Sequence, residues 1–343
     1  MRNVLRFLIT GYLISIVAAV VPAGASPITQ TYGVFDLTFY NAGESNGIVS
    51  GKSTWTAEQM ADVGSAVMAW DRINNVSGRN IRVHAFWNEL DVYGRNVLGG
   101  SASYRIADGQ TIWNLGEYVW KEGMDPGTTS YGFDTILRFD VGAGGTAWNF
   151  GGDLPGATEI DFRSVVSHEI GHSLGWDSSY SPATDTWGWL GDVYGGLTAW
   201  DANLVDPEGD RPASGGAGTP GNFNQDADPV YFDGPSAASL YGGPVPIFAP
   251  STYLPGTSLL HLDEDALGSM MMTPYLSIGE YVRDVSELEW AMMADMGWDV
   301  NSTDLAAENA PIPEPATLLL LGTGLAGLGA TRIGRRKCRN QAT

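Results

Sequence analysis

The 343-residue sequence is poor in cysteine and in histidine. It contains one cysteine, Cys338, and four histidines. Because Cys338 lies in the C-terminal tail, no disulfide can cross-link the rest of the chain. For the same reason, no cysteine in the rest of the chain can bind and block a metal site there. Any imidazole chemistry must therefore come from His84, His168, His172 and His261.

Basic residues are also scarce. The chain has 18 Lys and Arg against 39 Asp and Glu, for a net charge of −21. Several of the basic residues stand at the two ends, with Arg2 and Arg6 near the start and a cluster in residues 332–339. The body between them is therefore strongly acidic. This charge argues against nucleic acid and anionic membrane surfaces as partners, and is compatible with solubility or cation binding.

Long apolar runs occur near the two ends, and the first of them resembles a targeting signal. Arg2 and Arg6 precede an apolar run over residues 7–21, and Ala23-Gly24-Ala25 offers a small-x-small cleavage site. Together these features predict a secretory signal peptide over residues 1–25 and hence export. A membrane anchor is the alternative, which the short run and the cleavage site that follows it disfavour.

The second apolar run belongs to a C-terminal segment with three parts in order. Pro313-Glu314-Pro315 precedes an apolar stretch over residues 316–330, and the basic cluster follows. This resembles the PEP-CTERM sorting signal of Gram-negative bacteria, which implies transient membrane insertion, an exosortase-type sorting enzyme as partner, and a secreted or cell-surface protein. A plain C-terminal membrane helix is the alternative, with its positive end in the cytoplasm under either interpretation.

Two of the histidines lie near the middle of the chain in the pattern H-E-x-x-H. His168 and His172 are four residues apart, so on an α-helix they project from one face and can bind the same metal ion. Glu169 is placed to reach a water on that ion, as in zinc hydrolases. Asp161 can cap this helix, and Gly175 lies where a helix C-terminus favours positive φ. The spacing therefore predicts a zinc site on a helix.

The run from His168 to Gly175, H-E-x-x-H-x-x-G, is similar to the motif of the metzincin metalloproteases. In that family the glycine turns the chain so that a third ligand arrives from outside the helix. Most members place a histidine three residues beyond the glycine, a position held here by Ser178. The resemblance therefore requires a third ligand from elsewhere in the chain.

His261 is the candidate for the missing ligand. It precedes Met272-Thr273-Pro274, which resembles the Met-turn that lies under the zinc in metzincins. Leishmanolysin-like members carry this variant, with a long insertion after the glycine, then a histidine and a Met-x-Pro turn. Asp177 is the alternative ligand, since some metzincins use an aspartate after the glycine, but it stands one residue short of their position.

The resemblance also implies roles for residues that do not bind the metal. Met272 is expected as a hydrophobic base under the imidazoles, a role that Met270 or Met271 would take in a shifted register. Tyr275 is a candidate for stabilising the oxyanion, because some metzincins carry a tyrosine just after the Met-turn, although at a different spacing. His84 falls in a strand pattern and is predicted to pack there or to lie at the surface, rather than to bind zinc.

The remaining pattern predicts an α+β fold of the metzincin type, with a mixed sheet and helices before the zinc helix and a loop-rich part after it. A helix opens near Thr54 or Thr56, either of which can cap it. Ser286 and Glu289 form a capping box for a helix over residues 285–297. Strands are predicted over residues 31–40, 81–87, 99–107 and 135–141.

The predicted segments follow from these elements. They are the signal peptide 1–25, an N-terminal subdomain 26–176 with the zinc helix, a C-terminal subdomain 177–299 with the Met-turn, a linker 300–312 and the sorting signal 313–343. Residues 178–260, rich in Gly, Pro, Asp and Asn, are predicted to be loop-like. Acidic residues in 206–229 raise the alternative of a calcium loop, but without a D-x-D-x-D-G run a solvated acidic loop is favoured.

The metzincin resemblance implies a secreted zinc-dependent endopeptidase that acts on a protein or peptide substrate, with Glu169 activating the water. Two other classes stay open. One is a non-catalytic extracellular matrix or binding protein on the same fold, which the intact Glu169 argues against. The other is a hydrolase of a non-peptide amide, which the exopolysaccharide setting of PEP-CTERM proteins suggests.

Overall fold

The computed structural model describes residues 6–7, 26–74, 78–90, 97–109, 111–123, 132–182, 185–189, 194–212 and 229–301. The chain separates into two compact units, Met1–Val300 and Asn301–Thr343. Nearly all of the described residues belong to the first unit. The predicted signal peptide, apart from residues 6–7, and the sorting signal lie outside the described residues.

Within the described ranges, none of the helices combines the length and the apolar character that crossing a membrane requires. The apolar stretch at residues 316–330 is not among those ranges. Its insertion into a membrane therefore stays a prediction.

The first unit combines helices with several small sheets and one larger sheet. The helices are α1 (Ala57–Val67), α2 (Leu115–Glu122), α3 (Phe162–Ser173), α4 (Pro235–Tyr241), α5 (Glu264–Leu267) and α6 (Glu287–Asp295). The strands are β1 (Arg6–Phe7), β2 (Ile28–Tyr32), β3 (Phe35–Tyr40), β4 (Ile81–Asn88), β5 (Gly99–Ser103), β6 (Arg105–Asp108), β7 (Thr111–Asn114), β8 (Thr135–Asp140), β9 (Ala147–Asn149), β10 (Glu159–Asp161), β11 (Tyr180–Ser181), β12 (Thr186–Trp189), β13 (Tyr194–Gly195), β14 (Leu204–Val205), β15 (Val230–Phe232) and β16 (Val245–Ile247).

The largest sheet is mixed and has the strand order β2-β3-β4-β8-β5. β3, β4 and β8 run parallel, whereas β2 and β5 pair antiparallel at the two edges. Smaller sheets have the orders β1-β6-β7, β9-β10, β11-β12-β13 and β14-β15-β16. The fold is therefore α+β with a mixed sheet, as the sequence predicts.

The helices α1 and α3 pack together on one face of this sheet. The Trp70 indole N–H donates to the Ser167 carbonyl at 2.9 Å, and the Ser167 hydroxyl donates to the Ala66 carbonyl at 2.9 Å. The sheet residues Leu37, Phe39, Val83, Leu137 and Phe139 are buried in the same apolar core as both helices. Since buried apolar area is the main stabilising term, this core holds α3 rigidly against the sheet.

A second apolar cluster includes sheet residues that are not part of the first. It contains Tyr40, Phe86, Tyr118, Phe133 and Ile136. His84 is buried beside it, with its ring 4.8 Å from those of Tyr40 and Phe133. Burial, with a smaller contribution from Arg82, lowers the pKa of His84 to about 4. His84 is therefore neutral, and of its two predicted settings, packed or at the surface, the packed one is correct.

Two capping boxes begin helices where the sequence predicts them. Thr56 caps α1 and exchanges hydrogen bonds with Gln59, and Ser286 caps α6 and exchanges them with Glu289. Such reciprocal caps satisfy two otherwise unpaired N–H groups of the first turn. Thr56, rather than Thr54, is thus the cap of the first helix.

Several predicted element boundaries are wrong. The single strand predicted over residues 31–40 is two antiparallel strands, β2 and β3, because Gly33 turns the chain with a φ of 53°. The strand predicted over residues 99–107 is likewise divided between β5 and β6, which belong to different sheets. Helix α2 was not predicted. Residues 178–260 are not simply loop-like, since they contain six short strands and α4, while residues 213–228 lie outside the described part.

Candidate metal centre

The zinc-motif helix is fixed at both ends by the residues that the sequence indicates. The Asp161 carboxylate accepts the Ser164 backbone N–H at 2.8 Å, and Arg283 in turn donates to Asp161. At the other end Gly175 has a φ of 107°, in the region that favours glycine. The turn at Gly175 then directs the chain back, so that Trp176 N–H reaches the Gly171 carbonyl at 3.3 Å.

His261 reaches the helix from a distant loop that backbone hydrogen bonds hold in place. Phe248 N–H donates to the His261 carbonyl and Leu259 N–H to the Phe248 carbonyl, each at 2.9 Å. The Trp200 indole N–H donates to the Leu259 carbonyl at 2.7 Å. Leu262 N–H donates to the Met272 carbonyl at 2.9 Å, which links this loop to the predicted Met-turn.

The structure brings His168, His172 and His261 together. Their Nε2 atoms form a triangle with each side 3.1 Å long. A tetrahedral zinc with bonds of about 2.0–2.1 Å separates its nitrogen ligands by about 3.3 Å. Among the described residues, these three form the one cluster of His, Cys, Asp or Glu side chains with the geometry to hold a metal ion.

The opposite ring nitrogen of each histidine faces a backbone carbonyl. His168 Nδ1 lies 2.7 Å from the Met271 oxygen, and His172 Nδ1 lies 2.6 Å from the Trp176 oxygen. His261 Nδ1 lies 2.8 Å from the Thr257 oxygen. Since a carbonyl can only accept, each Nδ1 must carry the proton and donate it.

This assignment decides what the three Nε2 atoms can do. In a neutral imidazole with its proton on Nδ1, Nε2 carries a lone pair and no hydrogen. Three lone pairs at 3.1 Å from one another cannot hydrogen bond among themselves and repel. A cation between them removes that repulsion, so the donor set fits a metal ion, with the carbonyls orienting the rings as ligating histidines require.

The electrostatics of the site keep the imidazoles neutral. Burial, and then the neighbouring His172, lowers the pKa of His168 to about 3. Burial lowers the pKa of His172 to about 4 and that of His261 well below its ordinary value. A neutral imidazole is the form that binds a metal, so metal binding need not displace a proton at neutral pH.

Glu169 follows His168 on α3 and lies against strand β5. It is 7% exposed, and the Ser101 backbone N–H donates to its carboxylate. A Cβ added at Gly99 would lie 2.9 Å from Glu169 Oε1, so the carboxylate packs closely on the strand. Burial raises the pKa of Glu169 to about 8, although the Arg138 charge and the Ser101 N–H act in the opposite direction.

Met272 packs under the zinc-motif helix. It is fully buried, and a Cβ added at Gly171 would lie 2.3 Å from its sulfur and 3.0 Å from Trp70 Cζ2. Gly171, between the two histidines of the motif, therefore allows this close approach. Among the three methionines considered, Met272 is the one against the helix at this position.

We expect Gly171→Ala to destabilise the protein, although alanine is ordinarily the better helix former by about 1 kcal/mol. The new methyl group overlaps Met272, and overpacking of this kind costs about 1–3 kcal/mol. Chemical denaturation measures the free energy of unfolding, and a metal titration measures the affinity of the histidine cluster for a metal ion, which should also fall.

Gly243→Ala is the matched control, because a Cβ there meets no heavy atom within 4 Å. It should leave both quantities near those of the wild-type protein. A Gly171→Ala protein that is as stable as wild type would contradict the close contact between Met272 and the helix.

Two other predicted site residues lie elsewhere. The Asp177 carboxylate forms an ion pair with the buried Arg105 and is not part of the histidine cluster. Tyr275 is 55% exposed, and its ring packs edge-on against Phe248 with centroids 5.8 Å apart. Its proposed contact with an oxyanion stays a prediction.

Glu289 has a role near the site that its sequence pattern did not indicate. Besides closing the capping box of α6, this fully buried carboxylate accepts the Met272 backbone N–H at 2.7 Å. Burial raises its pKa. The capping-box pattern identified the residue, but its second contact links positions 17 apart in the sequence and has no local signal.

Comparison with known proteins identifies the C-terminal segment. Residues 311–336 match the family model of the PEP-CTERM protein-sorting motif. The motif marks an exported protein of Gram-negative bacteria, sorted to the cell surface or extracellular space by an exosortase-type enzyme. No curated protein and no solved structure shows significant similarity to the chain.

Proposed function

We propose that this protein is an exported zinc-dependent endopeptidase. The observation that carries the proposal is the convergence of three Nε2 lone pairs from His168, His172 and His261, each ring oriented by a carbonyl on its other nitrogen. Zinc is the metal proposed, because borderline-soft Zn²⁺ readily accepts imidazole ligands and three protein ligands are typical of its catalytic sites.

A zinc ion at this position would act as a Lewis acid and lower the pKa of a water to about 7. Glu169 would be the base that takes a proton from the attacking water and the acid that returns it to the leaving amine. Its raised pKa suits both steps, since a carboxyl that titrates near neutrality can accept and donate a proton. A dication held by the three histidines would lower the pKa of Glu169.

The metzincin resemblance extends the proposal to the kind of peptidase. The close contact between Gly171 and Met272 is what a Met-turn under the zinc helix requires. The link from Leu262 to Met272 joins the third histidine to that turn. We therefore propose a leishmanolysin-like arrangement, with subdomains 26–176 and 177–299 on either side of the cleft and His261 as the third ligand.

Strand β5 supports a peptide as the substrate. It is an edge strand, and no strand in the described ranges pairs with its outer side. An extended peptide can add to such an edge through main-chain hydrogen bonds. Glu169 lies against this strand at Gly99 and Ser101, so a peptide paired there passes close to the proposed base.

Two alternative functions remain distinct from this one. A non-catalytic matrix or binding protein would use the histidine cluster for structure alone, with no need of the buried Glu169 carboxylate. A hydrolase of a non-peptide amide would use the same residues on a substrate that does not pair with β5.

The test is metal analysis of the exported protein together with digestion of a peptide library. We expect one zinc per chain and cleavage of internal peptide bonds that a chelator abolishes and added zinc restores. Zinc without cleavage of any peptide would favour the structural alternative. Cleavage of amide-linked glycans in place of peptides would favour the other.

A further inference from the structure

Arg138 differs from six other arginines that the structure describes. Six arginines form ion pairs with a carboxylate, namely Arg72, Arg82, Arg105, Arg163, Arg211 and Arg283. In the part of the chain that the structure describes, Arg138 has neither an ion pair nor a hydrogen bond, and its Nε is buried without an acceptor. With 39 acidic residues in the chain, a guanidinium without a carboxylate is unexpected.

The position of Arg138 places its charge beside the edge strand. Arg138 on β8 pairs with Gly100 on β5. A Cβ added at Gly100 would lie 3.8 Å from Arg138 Nη2 and would meet no other atom within 4 Å. Because Gly100 has no side chain, the guanidinium can lie over β5, whose outer side has no partner among the described strands.

Arg138 is not the partner of Glu169, although its charge acts on that carboxylate. Glu169 accepts the Ser101 N–H and packs on the Cβ position of Gly99. Successive residues of a strand face opposite sides of the sheet, so Gly99 faces Glu169 while Gly100 faces Arg138. The two charged groups thus approach β5 from opposite faces, which leaves the guanidinium available to another anion.

We infer that Arg138 forms a carboxylate-binding subsite at the β5 edge, so that the enzyme prefers peptides with an Asp or Glu side chain close to the cleaved bond. This inference rests on the proposed peptidase function. A side chain opposite Gly100 on a strand added to β5 projects on the same face as Arg138. Carboxylates are the groups that the planar fork of a guanidinium binds best.

The experiment compares peptide pairs that differ by Glu or Gln at one position, scanned across both sides of the cleavage site. At one position we expect the wild-type, zinc-loaded protein to show a kcat/KM about tenfold higher for Glu, the size of one charge-assisted hydrogen bond. Arg138→Gln should abolish this ratio, because the kcat/KM for the Glu peptide falls to the level of that for the Gln peptide. Arg138→Glu should shift the preference to Lys at that position.

Arg211→Gln is the control for charge, because the Arg211 guanidinium is held by the Asp233 carboxylate and the Ala202 carbonyl. It should keep the preference for Glu. If Arg138→Gln does not fold, Arg138→Lys replaces it. Lys keeps the charge but loses the fork, so the preference for Glu should then be reduced but present, and an unchanged preference overturns the inference.

The outcomes separate this inference from the function on which it rests. A wild-type protein that binds zinc but cleaves no peptide overturns the proposed peptidase and the subsite together. Cleavage without any preference for Glu overturns the subsite alone. An Arg138→Gln protein that loses activity equally on both peptides of a pair also overturns the subsite alone. An equal loss indicates that Arg138 stabilises the fold or acts through Glu169, and does not bind the Glu side chain of the substrate.

Discussion

Glu169→Gln should abolish peptide cleavage and leave the zinc in place. No metal ligand is removed, since the zinc-binding candidates are the three histidines. The amide cannot take a proton from water, and loss of a general base typically costs a factor of about 10²–10⁴ in rate. Turnover of a library peptide and metal analysis of the same sample measure the two quantities.

Glu44→Gln is a matched control for this change. Glu44 is also a largely buried carboxylate that accepts a backbone N–H, from Asn41 at 2.6 Å, but it lies in a loop and not on α3. This variant should cleave at nearly the wild-type rate. Near wild-type cleavage by Glu169→Gln would show that Glu169 is not the base, and loss of zinc from that variant would show that it supports the metal site.

His261→Ala should remove the zinc, whereas Asp177→Ala should retain it. Loss of the third imidazole leaves two nitrogen donors, and zinc sites in proteins seldom hold with two. The affinity should therefore fall by more than the roughly 10- to 100-fold that loss of a ligand's hydrogen-bond partner costs. A competition titration with a chromophoric chelator measures it, and peptide cleavage should fall in parallel.

Asp177→Ala should change stability rather than metal binding. Its ion-pair partner Arg105 is 9% exposed, so removal of the carboxylate leaves a buried charge without its partner. Such a loss costs on the order of 3–5 kcal/mol in free energy of unfolding, reduced here because Asp177 is itself 25% exposed. Full zinc occupancy in His261→Ala, together with its loss in Asp177→Ala, would reverse the ligand assignment.

Features that depend on neighbours in the sequence could be predicted well. His168 and His172 share a helix face because four residues make about one turn, and Asp161 and Gly175 limit that helix because their chemistry suits its two ends. The capping box of Ser286 and Glu289 is local in the same sense. The sorting motif is a contiguous segment and needs no tertiary structure to be recognised.

Strand boundaries were predicted less well, because a period of two does not report where a strand turns or which sheet it joins. The positive φ of Gly33 divides one predicted strand into an antiparallel pair. Residues 99–107 continue an alternating pattern across two sheets. Pairing partners are chosen by packing, which the sequence of a single strand does not specify.

The geometry of the candidate site was decided by contacts between distant parts of the chain. His261 could be proposed as a ligand from the histidine count and the resemblance. Its distance from the helix histidines, however, is set by the loop that the backbone hydrogen bonds of Phe248 and Leu259 hold in place. The carbonyls of Met271, Trp176 and Thr257 decide which nitrogen of each ring keeps its proton.

The same holds for the residues that the sequence did not single out. Gly171 resembles any glycine in a helix until the sulfur of Met272 is seen against it. Arg138 resembles any arginine in a strand until its lack of a carboxylate partner beside the β5 edge is apparent. Helix spacing is a property of nearby residues, whereas close approach and missing partners are properties of the packed chain, and only tertiary structure decides them.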